Sequence, residues 1–175
     1  WTYGDGGGRV FRSTDGGATF TLVHTVTGNG GGERGELEAS STNPNKFYIL
    51  SQLSQANSSS PTIEVKLEMT TNAFGSVSTI TLPPASGESR LTTYGFTGAQ
   101  AFYDLVLESD PNNDAIIVAG GINLAKSTNS GTSWTQISNW SSANLVHSDQ
   151  HAIIFNPNDT DQVLFGNDGG VYYCP

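Results

Sequence analysis

A turn motif that recurs at a fixed interval is the feature that most restricts how this chain can fold. Its clearest copies are Ser13-Thr14-Asp15-Gly16-Gly17-Ala18-Thr19-Phe20 and Ser127-Thr128-Asn129-Ser130-Gly131-Thr132-Ser133-Trp134, and a looser copy occupies residues 70–77. The acidic or amide residue of each copy is Asp15, Asn72 or Asn129, so both intervals are 57 residues. A repeat of this order indicates an array of similar units that pack on their neighbours.

The segments between the turn motifs have the composition of β-strands. Glycine is abundant, lysine is scarce, and short β-rich or alternating stretches are separated by turn-forming residues. We predict strands at 8–12 and 19–25; at 35–40, 46–53, 62–69 and 77–82; at 101–108, 115–119, 123–127 and 133–137; and at 151–155, 162–165 and 171–173. No segment is predicted to be a helix.

The predicted strands fall into groups of up to four, which is the make-up of a propeller blade. These groups predict the end of a first blade at 1–25, a second blade at 34–82, a third at 101–137 and the start of a fourth at 147–175. A closed propeller typically has four to eight blades. We therefore expect an all-β fold, a partial β-propeller truncated at both ends, whose partners include the remaining blades of its parent chain.

The charge and the cysteine content exclude several classes of partner. The formal net charge is −9, which argues against nucleic acid and anionic membranes because both bind through basic patches. No apolar run approaches the roughly 20 residues of a membrane-spanning helix, so membrane insertion is not expected. The single cysteine, Cys174, excludes an internal disulfide and a multi-cysteine metal site. We predict no cofactor.

The turn motif resembles the Asp-box, or BNR repeat, of sialidases, sortilin-type receptors and xyloglucanase-like propellers. Residues 13–20 and 127–134 match it, whereas the copy at 70–77 has Phe74 in place of a glycine. The segment from His147 to Tyr172 resembles large secreted propellers of Bacteroidetes-like bacteria. Such proteins are often exported by type IX secretion and are related to family 74 glycoside hydrolases. The resemblance covers nearly the whole chain and implies an extracellular or cell-surface location.

In that family the Asp-box is structural and lies on the face away from the usual site. We expect its carboxylate or amide to accept backbone N–H bonds across the turn, its glycine to adopt positive φ and its aromatic residue to pack in the blade core. The residues with these structural roles are Ser13, Asp15, Gly17, Phe20, Asn72, Ser127, Asn129, Gly131 and Trp134.

The opposite face is where propellers bind ligands. Blade topology predicts that the Asp-Gly-Gly turns at Asp5 and Asp168 open on this face, together with His147 and Asp149. The long loop from Pro83 to Gln100 is expected to bring further ligand-face candidates there. The candidates for contact with a ligand are His147, His151, Arg90 and Tyr94.

Two kinds of chemistry are open to these residues. His147, Asp149 and His151 alternate, so on a strand they would point to one side and could ligate a divalent metal; ordinary hydrogen bonds to loop backbone are the alternative. Asp149 with Asp168 or Asp5 could form the paired carboxylates of a glycosidase. Asp168 and Asp5 could equally stabilise their own turns, so we assign neither a metal site nor a catalytic residue.

Three functions are compatible with the sequence. The first is a non-catalytic segment of a secreted or cell-surface propeller that acts as a scaffold or binds glycan or protein. The second is a fragment of a family 74-like glycoside hydrolase with part of its site on the face that bears Asp149 and Asp168. The third is a fragment of an exported substrate captured by a partner complex. We expect the first. Asp-box propellers include enzymes, receptors and adhesins, so the resemblance is specific for fold and weak for activity.

Overall fold

Thirteen strands and one short helix make up the regular structure of the described residues. The computed structural model describes residues 8–27, 34–53, 64–85, 89–142 and 146–175. The elements are β1 (Arg9–Arg12), β2 (Thr21–Thr25), β3 (Gly35–Ala39), β4 (Phe47–Gln52), β5 (Val65–Thr70), β6 (Ser78–Thr79), α1 (Ser89–Tyr94), β7 (Val106–Asp110), β8 (Asn113–Gly120), β9 (Leu124–Ser127), β10 (Thr135–Gln136), β11 (Gln150–Asn156), β12 (Asp159–Asn167) and β13 (Gly170–Cys174).

The strands form four antiparallel sheets in which each strand pairs with its neighbour in sequence. Blade 1 contains β1 and β2, blade 2 contains β3 to β6, blade 3 contains β7 to β10, and blade 4 contains β11 to β13. The first strand of blade 3, β7, contacts both β3 and β11. The first strands of blades 2 to 4 therefore lie side by side along one axis, and the later strands follow outward from them.

Each predicted strand overlaps an observed one, and the predicted all-β class is confirmed. The prediction that no segment is helical is wrong at α1, whose single buried residue is Leu91. A helix this short is stabilised by tertiary packing more than by its own residues, so no local sequence pattern indicates it. Nowhere in the described ranges does a helix have the length and apolar character that a membrane crossing needs.

Apolar side chains fill the spaces between neighbouring blades. The first cluster joins blades 2 and 3 and includes Tyr48, Leu50 and Leu67 on one side and Leu107 and Ile117 on the other. The second joins blades 3 and 4, with members Val106, Val118, Leu124, Ile153, Phe155, Val163 and Phe165. Blades 2, 3 and 4 thus bury apolar faces against one another, as a stacked-sheet array requires.

The three Asp-box turns share one hydrogen-bond pattern. In the first, the backbone N–H of Thr19 donates to Oδ1 of Asp15 (2.9 Å), and that of Gly17 donates to Oγ of Ser13 (2.8 Å). Asn129 and Ser127 accept the corresponding bonds in the third turn (both 2.9 Å). The first residue of the motif is therefore a second cap of the turn, a role that the sequence analysis did not assign.

The aromatic residues of the boxes do not all pack as expected. Trp134 packs against the cluster between blades 2 and 3 and donates its indole N–H to the carbonyl of Thr81 (3.0 Å). Phe20 is 62% exposed, which corrects the prediction that it packs in a blade core. Trp134 packs against the blade that precedes its own, and for Phe20 the described residues include no such blade.

Two equivalent glycines provide a test of how tightly the blades pack. We expect Gly120→Ala to lower the free energy of unfolding by about 1–3 kcal/mol through overpacking, because an added Cβ would lie 2.7 Å from Cβ of Gln150 and 2.8 Å from Cγ1 of Val106. At the equivalent position of β12, a Cβ on Gly166 would meet Cβ of Ala152 at 3.3 Å. Gly166→Ala should therefore lower the free energy of unfolding by less than Gly120→Ala does. Urea unfolding of both variants checks the order, and equal losses would contradict it.

Candidate functional site

Three chain segments meet at the end of the blades where the β12–β13 turn lies. They are the segment at 97–104 before β7, the segment at 147–149 before β11, and the turn at Asp168-Gly169. Backbone bonds join the second segment to blade 3, since the N–H groups of Asp149 and Gln150 donate to the carbonyls of Ile122 (3.3 Å) and Gly121 (2.9 Å). The polar side chains of three loops are thereby gathered on one face.

Asp168 is the centre of a hydrogen-bonded group on this face. The hydroxyl of Tyr103 lies 2.9 Å from Oδ1 and 3.1 Å from Oδ2 of Asp168. Nε2 of His151 lies 2.8 Å from the same Oδ1, and the rings of Tyr103 and His151 meet edge to face at 4.8 Å. The hydrogen bonds from His151 and Tyr103 lower the pKa of Asp168. Asp168 is therefore an exposed, ionised acceptor beside two aromatic rings.

A pair of carboxyl groups, Asp104 and Asp149, lies near this group, since the charges of both act on the hydroxyl of Tyr103. Asp104 is fully buried, and its burial, followed by the charge of Asp149, raises the pKa of Asp104 to about 9. Within the described residues no donor reaches Oδ1 of Asp104. At neutral pH Asp104 is thus protonated and can donate to Asp149, whose own Oδ1 also accepts from Nε2 of Gln100 (3.2 Å).

Two side chains of blade 2 hold the segment that carries Tyr103 and Asp104. Nη1 of Arg34 donates to the carbonyl of Tyr103, and Nη2 donates to that of Leu105 (2.7 Å). The buried carboxylate of Glu64 accepts bonds from the hydroxyl of Thr97 (2.9 Å) and the backbone N–H of Ala101 (2.7 Å). The position of the Tyr103 ring therefore depends on contacts between two blades.

The alternation of His147, Asp149 and His151 does not place them on one strand. β11 begins at Gln150, and Asp149 has a φ of 64°, so the backbone turns before the strand starts. His151 bonds to Asp168, Asp149 pairs with Asp104, and Nδ1 of His147 lies 3.1 Å from the carbonyl of Ser148. Among the described residues no group of three or more acidic, histidine or cysteine side chains is arranged to hold a metal ion.

The other predicted ligand-face residues lie outside the group around Asp168. Arg90 is exposed on α1 and donates from Nε to the carbonyl of Gly98 (2.5 Å), which closes its own loop. Tyr94, the last residue of α1, is half-buried. Asp5 lies outside the described residues.

Tyr103, Asp104 and Gln100 are site residues that the sequence analysis did not identify. A signal for them exists in the turns Asp110-Pro111-Asn112 and Asn156-Pro157-Asn158, which are 46 residues apart. With the same offset of 46 residues, Tyr103 of blade 3 is equivalent to Asp149 of blade 4, and Asp104 is equivalent to Gln150. The two segments thus enter equivalent first strands, and alignment on these turns would have indicated that both reach the same face.

Comparison with known proteins shows likeness in fold. No family model matches the chain, and no curated protein matches its sequence. The GH74 enzyme of Niastella koreensis is 22% identical with a TM-score of 0.55, over 79% of this chain and 20% of that enzyme. The GH74 xyloglucanase of Xanthomonas campestris is 11% identical with a TM-score of 0.53, over 79% of this chain and 21% of the enzyme. YCF48, solved bound to a D1 peptide, is 13% identical with a TM-score of 0.54, over 91% of this chain and 42% of YCF48.

The four antiparallel sheets and the similarity to these solved structures together identify the architecture. The fold is a partial β-propeller. This propeller spans about a fifth of the length of the two GH74 enzymes and less than half of YCF48. At such identities the likeness extends to fold and not to activity.

Proposed function

We propose that this propeller segment contributes part of a glycan-binding face of a secreted or cell-surface protein. The observation that carries the proposal is the exposed, ionised Asp168 held between Tyr103 and His151. A carboxylate accepts hydrogen bonds from sugar hydroxyls, and Tyr103 is 44% exposed, so its ring offers apolar area to the faces of a sugar.

Further aromatic side chains support a glycan as the ligand class. Phe102 and Trp140 are each 46% exposed; Phe102 adjoins Tyr103, and the backbone N–H of Trp140 donates to Oδ1 of Asn123 in the β8–β9 turn (3.0 Å). Ligand sites combine aromatic area with a few placed polar groups. One of the similar folds belongs to a xyloglucanase, so xyloglucan oligosaccharides are the first ligands to test.

We expect Tyr103→Ala and Asp168→Asn each to weaken binding of xyloglucan oligosaccharides about tenfold or more, because each removes a contact group at the centre of the face. Isothermal titration calorimetry measures the dissociation constants. Tyr173→Ala is the matched control for the first change, since Tyr173 is 57% exposed in β13. Asp161→Asn, an exposed carboxylate in β12, is the control for the second. Equal effects of site and control variants would contradict the proposal.

A hydrolase is a second candidate, supported by the likeness in fold to GH74 enzymes and by the carboxyl groups of Asp149 and Asp168 at the candidate site. A protonated and an ionised carboxyl group in one site are the acid and the base or nucleophile of glycoside hydrolysis. Asp104 itself is fully buried, so Asp149 and Asp168 are the groups that could touch a substrate. Release of reducing sugar from xyloglucan that Asp149→Asn abolishes would favour this candidate. Binding without turnover would favour the non-catalytic face.

A further inference from the structure

The face around Asp168 carries negative charge that no lysine or arginine of the chain balances. The side chain of Asp168 is 35% exposed and ionised, and the half-buried Asp149 is close enough for both charges to act on the Tyr103 hydroxyl. We propose that this face binds an amino glycan, a chain of sugar units with primary ammonium groups, and that Asp168 accepts a hydrogen bond from one of them. The inference rests on the proposed glycan-binding function and names the class of glycan.

All seven lysines and arginines of the chain lie in the part that the structure describes. Arg34 pairs with Glu36 (3.0 Å) and donates to two backbone carbonyls, and Arg90 closes its own loop. The others lie on strands of blades 1 to 3 or directly beside them: Arg9, Arg12, Lys46, Lys66 and Lys126. Among the described residues, none of the seven forms an ion pair with Asp149 or Asp168. A ligand cation therefore has no competitor for these carboxylates among the basic side chains of long reach.

The imidazoles beside Asp168 leave its charge available. The basic groups that act on Asp168 are His147 and His151. The bond between Nε2 of His151 and Oδ1 of Asp168 (2.8 Å) needs only the N–H of a neutral imidazole. The Tyr103 hydroxyl, at 3.1 Å from Oδ2, is a neutral donor. Because a carboxylate has about four acceptor sites, Asp168 can also accept a bond from an ammonium group.

A further acidic group adds to the negative potential of the face. Asp104 is fully buried beside Asp149, and no donor among the described residues reaches its Oδ1. The hydrogen bond to Asp168, burial and the charges of Asp168, Asp149 and Asp104 all raise the pKa of the Tyr103 hydroxyl. The formal charge of the whole chain, −9, has the same sign. The face therefore attracts cationic ligands and repels anionic sugars.

The aromatic rings favour a sugar as the carrier of the ammonium group. Tyr103, which bonds to Asp168, is 44% exposed, and its neighbour Phe102 is 46% exposed. An aromatic ring packs on the apolar face of a pyranose, and an ammonium group on the same sugar unit is then held beside the carboxylate. A lysine side chain offers the charge without the ring face.

The test compares two tetrasaccharides that differ only in the charge of their amino groups. We expect the tetramer of glucosamine to bind about tenfold more tightly than the tetramer of N-acetylglucosamine, because a hydrogen bond between charged groups is stronger than one to a neutral amide. Isothermal titration calorimetry at about pH 6, where such an amine is protonated, measures both affinities. An increase in sodium chloride from about 0.05 M to about 0.5 M should remove most of the difference.

Protein variants assign the preference to Asp168. Asp168→Asn should bring the ratio of the two affinities close to one, whereas Asp161→Asn, which removes an exposed carboxylate in β12, should leave the ratio near ten. Tyr103→Ala should weaken the binding of both tetramers, because it removes the ring on which either one packs. A xyloglucan oligosaccharide is the neutral reference.

The outcomes separate this inference from the proposed function. Equal affinity for the two tetramers would overturn the inference and leave the glycan-binding function in place, whereas failure of all three oligosaccharides to bind would overturn both. Competition by tetralysine as strong as that of the glucosamine tetramer would also overturn the inference, because the face would then recognise charge alone.

Discussion

Lys46→Met is expected to destabilise the protein by about 3 kcal/mol, because it leaves a partly buried carboxylate without its cation. Nζ of Lys46 in blade 2 lies 2.9 Å from Oδ1 of Asp114 in blade 3, and the two side chains are 8% and 18% exposed. The same Nζ also donates to the carbonyl of Asp114 (3.0 Å) and to Oγ of Ser130 (3.1 Å). The loss is measured by urea unfolding.

Two comparisons show whether this ion pair joins the blades. Lys66→Met removes a cation 2.8 Å from Glu68, but Glu68 keeps a second hydrogen-bond partner in Nε2 of His24 (2.9 Å), so we expect a smaller loss of about 1 kcal/mol. The double variant Lys46→Met with Asp114→Asn should recover part of the stability that Lys46→Met loses, since no charge then remains unpaired. If Lys46→Met costs no more than Lys66→Met, the ion pair does not hold blades 2 and 3 together.

The stability of the protein is expected to fall as the pH rises from about 5 to about 9. Burial, followed by the charge of Asp149, raises the pKa of Asp104 to about 9 from its usual value of 3.8, and burial followed by the charge of Glu38 raises the pKa of Glu108 to about 7 from 4.5. Between pH 3.8 and about 9 for Asp104, and between pH 4.5 and about 7 for Glu108, the folded state keeps a proton that the unfolded state has released. Each increase in pH therefore favours unfolding, by on the order of 1 kcal/mol per pH unit while one proton differs.

Asp104→Asn tests the larger of these two effects. The amide resembles the protonated carboxyl group and does not titrate, so this variant should be more stable than the wild type at pH 8 and should show a flatter dependence of stability on pH. Glu108→Gln should flatten the profile only below about pH 7. Thermal unfolding between pH 5 and pH 9 measures both profiles. An Asp104→Asn profile parallel to that of the wild type would show that Asp104 is ionised in the folded protein.

The repeat made the strands predictable, because each Asp-box turn is a local structure whose bonds lie within a few residues. Asp15 with Thr19 and Asn129 with Ser133 form the same bond in separate blades. The short helix α1 was not predictable in this way. Its one buried side chain, Leu91, is 2% exposed, and the packing of that residue on the rest of the fold has no local sequence pattern.

The candidate site could be predicted only in part. Asp149 and Asp168 were expected on one face, and the structure places both beside the loops that carry the site. The pairing of Asp149 with Asp104 depends on a contact between two loop segments 45 residues apart and on the left-handed backbone at Asp149. The residue type alone does not show that Asp149 adopts a positive φ. The alternation of His147, Asp149 and His151 therefore indicated one continuous strand, whereas β11 begins only at Gln150.

The bonds from Arg34 to the Tyr103 segment would link ligand binding to the contact between blades 2 and 3. Arg34 precedes β3 in blade 2, but it donates to the backbone carbonyls of Tyr103 and Leu105, and Tyr103 is the residue whose aromatic ring we propose contacts a sugar. A sugar that immobilises Tyr103 would also resist any hinge motion between these two sheets. Ligand binding would then stabilise the packing of blade 2 on blade 3, since a ligand that binds only the assembled form stabilises that form.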